Sequence, residues 1–282
     1  MFKFFSSKKH PRGPDWSTAR EHCLDFSGTK FYFRVPEHTD PIISFKPKPE
    51  KYNIYDESIF WKDTELNNPA SFLEGGFSID WQFKGSPLSG RVGRLKFSIA
   101  ITRNTSLGSL YRPDNFIASI NQQLNYSLGP LSALSNLYNC RIIRKNWSIR
   151  SIGQIPYAYY EEHESNSLSS SSYWKTPISD EHYLTFAFHK HIYEPDTTLH
   201  QAYNELIEKI LSSVRIEWSA EALKQQAIAK EKWPDEKLPE HLPELEWPDE
   251  EWQAHESDEK KAHREFLKEI EEHNAKYGKL EA

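Results

Sequence analysis

The stretch SDEHYLTFAFHKHIYEPDTTLHQAYNELIEKILSSVRIE, residues 179–217, decides the fold. Its first part, HYLTFAFHKHI (182–192), is rich in aromatic and β-favouring residues and predicts a strand. Thr198-x-x-Gln201 has the form of a capping box, which marks the start of a helix. Apolar residues then recur at three- and four-residue spacing from Leu199 to Val214, which predicts a helix with one apolar face. Such a face must pack against a sheet, and that sheet most simply contains the preceding strand.

The rest of the chain up to residue 216 predicts further strands and one more long helix. Cys23–Phe26 and Lys30–Val35 flank a Ser-Gly turn and predict a hairpin. Phe77–Phe83 and Leu95–Thr102 alternate apolar and polar residues, as half-buried strands do. Further predicted elements are helices at 114–126 and 128–138, strands at 142–149 and 155–162, and a mobile serine-rich loop at 165–172.

The sequence therefore predicts an α+β fold, a twisted antiparallel sheet flanked by helices, with a long acidic extension that ends in a helix. We divide the chain into a flexible lead-in (1–22), an α+β domain (23–216) and the extension (217–282). The extension is predicted to begin as a helix, continue as a Pro- and Trp-rich segment (231–256) and finish as a helix (257–277).

Charge is distributed unevenly along the 282 residues. The chain has a formal net charge of −6; residues 217–282 hold 19 acids and 10 bases, or −9, which leaves +3 for residues 1–216. Neither part has the basic stripe of a nucleic-acid-binding protein. No secretory signal, membrane span or paired-cysteine motif is evident, so we expect a cytoplasmic protein in which Cys23 and Cys140 are free thiols.

The extension carries an internal repeat. Trp-Pro-Asp-Glu occurs at 233–236 and again at 247–250, and Leu-Pro-Glu occurs at 238–240 and 242–244. Tryptophans are costly to expose, so the segment either wraps the body or serves as a docking arm for a partner. We favour wrapping. The residues that we expect to bind a partner are Trp233, Trp247, Trp252, Asp235, Glu236, Asp249, Glu250 and Glu251.

One basic–aromatic cluster precedes the extension in the chain. It consists of Arg141, Arg144, Lys145, Trp147 and Arg150. A nucleic-acid site would offer several stacking rings in a basic groove, and this cluster has one. We therefore expect the cluster to receive the acidic extension, its electrostatic complement.

Three short segments resemble a known family. Phe31–His38 (FYFRVPEH), residues 152–162 and residues 183–216 are similar to the corresponding parts of the PsbP/Mog1/DcrB-like fold. The resemblance implies a twisted antiparallel sheet between helices and no enzyme activity. It also implies adaptor, chaperone or accessory roles, including chaperones that load type VI effectors. A long insertion before Gly75 and the residues after 216 are additions to that pattern.

The function that we predict is non-catalytic binding of another protein, as an immunity protein against a toxin or as a secretion-associated chaperone. No cofactor is predicted, and the oligomeric state is left open. The alternative is a hydrolase or metal-dependent enzyme that uses His163, His189 and His191, with the acid cluster at 161–164 in acid–base chemistry. The Gly90-x-x-Gly93 segment lacks the residues of a phosphate-binding loop and predicts a hairpin turn.

Overall fold

In a computed structural model of the chain, the described residues are 11–41, 49–61, 70–85, 90–130, 141–164, 167–193 and 197–254, with single residues at 261, 265, 268 and 272. Cys140, the predicted helix at 128–138 beyond residue 130, and nearly all of the predicted terminal helix at 257–277 lie outside this part.

In the described part of the chain, ten strands form two sheets, and four α-helices pack around them. The strands are β1 (Arg20–Phe26), β2 (Thr29–Val35), β3 (Lys51–Tyr52), β4 (Ala70–Lys84), β5 (Arg91–Asn104), β6 (Ile142–Ile152), β7 (Ile155–Glu164), β8 (Ser170–Pro177), β9 (His182–Ile192) and β10 (Arg215–Glu217). The helices are α1 (Pro113–Leu128), α2 (Thr197–Leu211), α3 (Ala220–Lys232) and α4 (Asp249–Ala254). This confirms the predicted α+β class.

The strands separate into a four-stranded sheet, in the order β10-β2-β1-β3, and a six-stranded sheet, in the order β4-β5-β9-β8-β7-β6. The prediction had a single sheet. Strand β2 does not pair with an edge of the six-stranded sheet; the rings of Phe31 and Phe33 pack against that sheet instead. The Phe31 and Phe186 ring centroids are 4.6 Å apart, and those of Phe33 and Phe97 are 5.7 Å apart. One large aromatic core fills the space between the sheets.

Helix α2 covers the same face of the six-stranded sheet beside the smaller sheet. It begins at Thr197, so Thr198 lies inside it and not at the N-cap position, and Gln201 Nε2 donates to Glu205 Oε1 at 3.0 Å. Tyr203 donates to the carbonyl oxygen of His191 at 2.7 Å. A Cβ on Gly93 would lie 2.1 Å from the Tyr203 hydroxyl oxygen, so this strand position has to be glycine.

The predicted serine loop is wrong for its last three residues, whereas residues 167–169 lie between strands as predicted. Ser170, Ser171 and Ser172 open β8, which pairs with β7 on one side and β9 on the other. A strand between two neighbours receives ladder hydrogen bonds from both, and these outweigh the weak strand propensity of serine. Residues 165 and 166 lie outside the described part.

The opposite face of the six-stranded sheet carries a second, smaller core. Helix α1 contributes Phe116, Ile120 and Leu124, and Phe116 packs edge-on against Tyr183 with ring centroids 5.5 Å apart. The predicted lead-in is joined to the body where it is described, since Arg12 pairs with Lys84 through backbone hydrogen bonds of 2.8 and 3.0 Å. The extension begins as predicted, with helix α3 capped by Ser219.

Candidate functional site: the C-terminal strap and the adjoining cleft

Residues 233–252, which we call the strap, run along the edge strand β6 and over the second core. Backbone hydrogen bonds of 3.1 Å join Arg144 and Leu245 in both directions. The carbonyl of Pro239 accepts from Trp147 Nε1 at 2.9 Å, and the carbonyl of Pro243 accepts from Arg144 Nη2 at 2.7 Å. The strap is therefore docked on the body, as the wrapping prediction expected.

Each end of the strap contacts one arginine of the body. Arg112 lies over the Trp233 ring, 5.7 Å from its centroid, and pairs with Glu236 at 2.9 Å. Arg141 lies over the Trp252 ring, again 5.7 Å from the centroid, and pairs with Asp249. In both cases a carboxylate and an indole three residues apart enclose one guanidinium. The second contact does not use Trp247 and Glu250, the counterparts of Trp233 and Glu236 in the repeat, so the sequence repeat is not reproduced in the contacts. We call these two contacts the arginine clamps.

Apolar side chains anchor the strap between the clamps. Leu238, Leu242, Leu245 and Trp247 are partly buried against the second core. The indole Nε1 of Trp247 donates to Asn125 Oδ1 of α1 at 3.0 Å, and its ring meets that of Trp252 edge-on. All three strap tryptophans are half-buried, so contacts within the chain lower the free-energy cost of exposing their rings to water.

The basic–aromatic cluster receives the strap through four of its five predicted members. Trp147 and Arg144 bind strap carbonyls, Arg141 is enclosed in a clamp, and Lys145 Nζ lies 3.5 Å from Glu244. The prediction is wrong for Arg150, whose guanidinium lies 3.3 Å above the Tyr159 ring. Arg150 lies near the far end of β6, beyond the stretch that meets the strap.

Arg144 is the most buried of the cluster's charges. It is 4% exposed and also donates to Asn121 Oδ1 at 3.1 Å. Burial lowers the pKa of its guanidinium, which nevertheless stays charged because an arginine pKa begins so high. By contrast, the hydrogen bond and charge of Glu236 raise the pKa of Arg112.

The predicted partner-binding residues divide into two groups. The three tryptophans, Glu236 and Asp249 are engaged with the body. The carboxylates of Asp235, Glu250 and Glu251 are exposed, and none of them pairs with a described residue. Sequence reasoning missed Glu240 and Glu246, which are also exposed. The inward-facing leucines at 238, 242 and 245 were the available signal, because the residues between them must face outward.

An open cleft of about 920 Å³ lies beside the first clamp. It is bounded by the start of α1, the β6–β7 turn, strand β10, helix α3 and the strap. Its walls are mainly apolar, with Ile152, Ile216, Trp218 and Leu238 among them, and Glu240 stands at the strap side. The volume is within the range of ligand-binding cavities in proteins.

The alternative histidine site is not formed. His163 pairs across the sheet with Ser170, which pairs with Lys190, whereas His189 pairs with Ser171. Neighbouring strand positions point to opposite faces, so His163 faces away from both His189 and His191. His189 instead lies 2.8 Å from Ser171 Oγ, and His191 lies 2.9 Å from Arg94. Within the described residues, no group of three or more His, Cys, Asp and Glu side chains is placed to hold a metal.

The acid cluster at 161–164 is divided in the same way. Glu161 shares its face with His163, and Glu162 lies on the other face, where Tyr173 donates to it at 2.7 Å. Burial opposes ionisation of both glutamates. For Glu161, hydrogen bonds from Tyr159, His163 and Asn146 outweigh burial and lower the pKa to about 2. For Glu162, burial prevails and raises the pKa to about 7.

The comparisons with known proteins give only distant similarities. The chain matches no protein-family model and no curated protein sequence. Among solved structures it is similar to one from Bacteroides thetaiotaomicron VPI-5482 (14% identity, TM-score 0.25, 54% of this chain and 47% of that one). It is also similar to the Tle4–Tli4 complex (10%, 0.28, 71% and 98%) and to apo TplEi, an immunity protein of the T6SS from Pseudomonas aeruginosa (12%, 0.22, 73% and 75%). The TM-scores are too low to assign this chain to any of those folds.

No helix in the described part of the chain is both long and apolar enough to cross a membrane.

Proposed function

We propose that this protein binds another protein without catalysing a reaction, and that it acts in the cytoplasm as an immunity protein or a secretion-associated chaperone. The observation that carries the proposal is the docked strap. Its clamps use Glu236 and Asp249 to fix it on the body. The carboxylates of Asp235, Glu240, Glu246, Glu250 and Glu251 are exposed at the surface of this fixed segment.

A fixed acidic surface suits recognition for two physical reasons. The strap is already ordered, so binding does not have to offset the entropy of ordering it. Its negative potential attracts a positively charged partner and raises the association rate. The apolar cleft beside Glu240 offers the kind of concave, water-excluding surface on which binding energy concentrates.

The partner that fits is a protein with a basic surface next to an exposed apolar side chain. Toxins that act on nucleic acids have basic active sites, so a nuclease toxin belongs to the class expected. The resemblance to the PsbP/Mog1/DcrB-like family, which stays a prediction, points to the same adaptor class of function.

The first experiment is co-purification from the native host with the full-length tagged chain, followed by reconstitution from the two purified proteins. We expect one stoichiometric partner with a basic surface, and an affinity that falls as salt concentration rises. Two double variants separate specific binding from general charge. E240K/E246K reverses two exposed strap carboxylates, and E37K/E50K makes the same change in charge beside the four-stranded sheet.

Calorimetric titration of both variants with the partner then tests whether the strap is the recognition surface. We expect the strap variant to lose at least tenfold in affinity and the control to change by less than twofold. If the two variants weaken binding equally, the strap is not the recognition surface. Failure to find a stoichiometric partner would refute the proposed function itself.

A further inference from the structure

A second cavity lies on the other face of the six-stranded sheet, and it is lined by a cation that pairs with no described residue. Its volume is about 520 Å³. The floor is formed by Tyr159, Trp174 and Lys190 of the sheet, helix α2 forms one wall, and the β6–β7 turn forms the other. It is separate from the strap and does not depend on the proposed function.

Lys190 is the unusual residue in this cavity. It is 8% exposed and lines the cavity, yet it makes no hydrogen bond or ion pair with any described residue. Glu161 also lines the cavity but is already engaged, because it accepts from Tyr159, from His163 Nε2 at 2.9 Å and from Asn146 Nδ2 at 2.7 Å. A largely buried lysine side chain without a direct partner is costly, and an anion bound in the cavity would offset that cost.

A second cation borders the same space. Arg150 lines the cavity with its guanidinium fixed above the Tyr159 ring. Burial lowers the pKa of Lys190, and Arg150 lowers it further, whereas the charge of Glu161 acts in the opposite direction. The two cations thus line one cavity, and Glu161, which lines it as well, already accepts three hydrogen bonds.

We propose that this cavity binds the carboxylate of a small organic anion between Lys190 and Arg150. The side chains of Trp174, Ile207 and Leu211 form an apolar wall that suits a hydrocarbon or aromatic body. A single negative charge is favoured over two, because Glu161 and the exposed Glu208 also line the cavity and repel a dianion.

The test is a titration of the full-length protein with three probes at low salt, followed by NMR or calorimetry. Benzoate carries the required charge and ring, benzyl alcohol has the ring without the charge, and inorganic phosphate has the charge without the ring. We expect benzoate to bind saturably and more tightly than either of the other two. In K190M we expect the affinity for benzoate to fall at least tenfold, because a charge-assisted hydrogen bond to the carboxylate is removed.

The variant is expected to fold, because methionine replaces an unpaired buried charge with an apolar chain of similar length. Thermal unfolding of K190M should therefore occur at the same temperature as in the parent or higher. Lys96, which faces the other side of the sheet, provides the control: K96M should bind benzoate as the parent does. Unchanged benzoate binding in K190M, equal binding of benzyl alcohol, tighter binding of phosphate, or no saturable binding of benzoate would each overturn the proposal.

Discussion

Replacement of Arg144 by alanine tests how the strap is held. The guanidinium makes two hydrogen bonds, to the Pro243 carbonyl at 2.7 Å and to Asn121 Oδ1 at 3.1 Å. Hydrogen bonds from a charged donor contribute about 1.5–3 kcal/mol each. We take the lower value for both, because water can reach the two acceptors once the side chain is gone. We therefore expect Arg144→Ala to lower the free energy of unfolding by about 3 kcal/mol.

For a chain of this size a loss of 1 kcal/mol lowers the melting temperature by about 2–4 °C, so we expect a decrease of about 6–12 °C. If the strap docks with less free energy than Arg144 supplies, it will detach first and the global decrease will be smaller. Limited trypsin digestion detects that case, because Lys237 lies in the strap and becomes easier to cleave when the strap is released.

Arg150→Ala is the matched control. Arg150 belongs to the same sequence cluster but stacks on Tyr159 and does not touch the strap. We expect it to cost less than about 1 kcal/mol, the value of an exposed cation–π contact. If Arg144→Ala has the same unfolding midpoint in urea as Arg150→Ala, and Lys237 is cleaved no faster, our account of strap docking is wrong.

Three further predictions concern packing, pH and salt. Gly93→Ala should destabilise the fold by about 1–3 kcal/mol in urea unfolding, since its Cβ would overlap a helix side chain 2.1 Å away. The pKa of Glu161 is lowered to about 2 from 4.5, so its contribution to stability is present above pH 4.5 and is lost as pH falls toward 2. Tyr159→Phe should make that acid loss smaller, as followed by unfolding at a series of pH values. E236Q/D249N should lower stability by about 1 kcal/mol at low salt and much less at 1 M salt, because exposed ion pairs are screened.

Each of these has a control in the chain. Gly90 has a positive φ of 64°, and no atom lies within 4 Å of the point where a Cβ would stand, so Gly90→Ala reports backbone strain without overlap. Glu50 is exposed and lies outside the strap, so E50Q should leave the salt dependence of the free energy of unfolding unchanged. The packing argument fails if both glycine variants cost the same, and the salt argument fails if E236Q/D249N behaves like E50Q. An unchanged acid profile in Tyr159→Phe would show that its hydroxyl does not set the Glu161 pKa.

Local periodicity was sufficient to predict most elements. The alternation Phe31-x-Phe33-x-Val35 and the spacing from Leu199 to Val214 each describe one face, and the structure buries those faces. Periodicity does not say which faces meet, so one sheet was expected where two are stacked. It also failed for β8, because the hydrogen bonds that hold Ser170–Ser172 in a strand come from residues elsewhere in the chain.

For the candidate site, the sequence predicted which charged segments meet but not which residues pair. An acidic segment and a basic cluster in one chain suggested that they meet, and they do. That Arg112 pairs with Glu236 depends on contacts between residues 124 positions apart, for which local sequence carries no signal. The histidines were misleading for a simpler reason: His163 and His189 lie on different strands, and only the register decides which faces they share.

Pro239 and Pro243 meet the body through their carbonyl oxygens. A peptide oxygen is common to every amino acid, so many residues that accept an extended backbone could replace these prolines without breaking either bond. Trp147 and Arg144, in contrast, supply the donors from their side chains and cannot be exchanged so freely. The side chains that determine where the strap docks therefore belong to strand β6. The exposed residues of the strap can be substituted without loss of these hydrogen bonds, so the binding specificity of the strap could be changed while it stays docked.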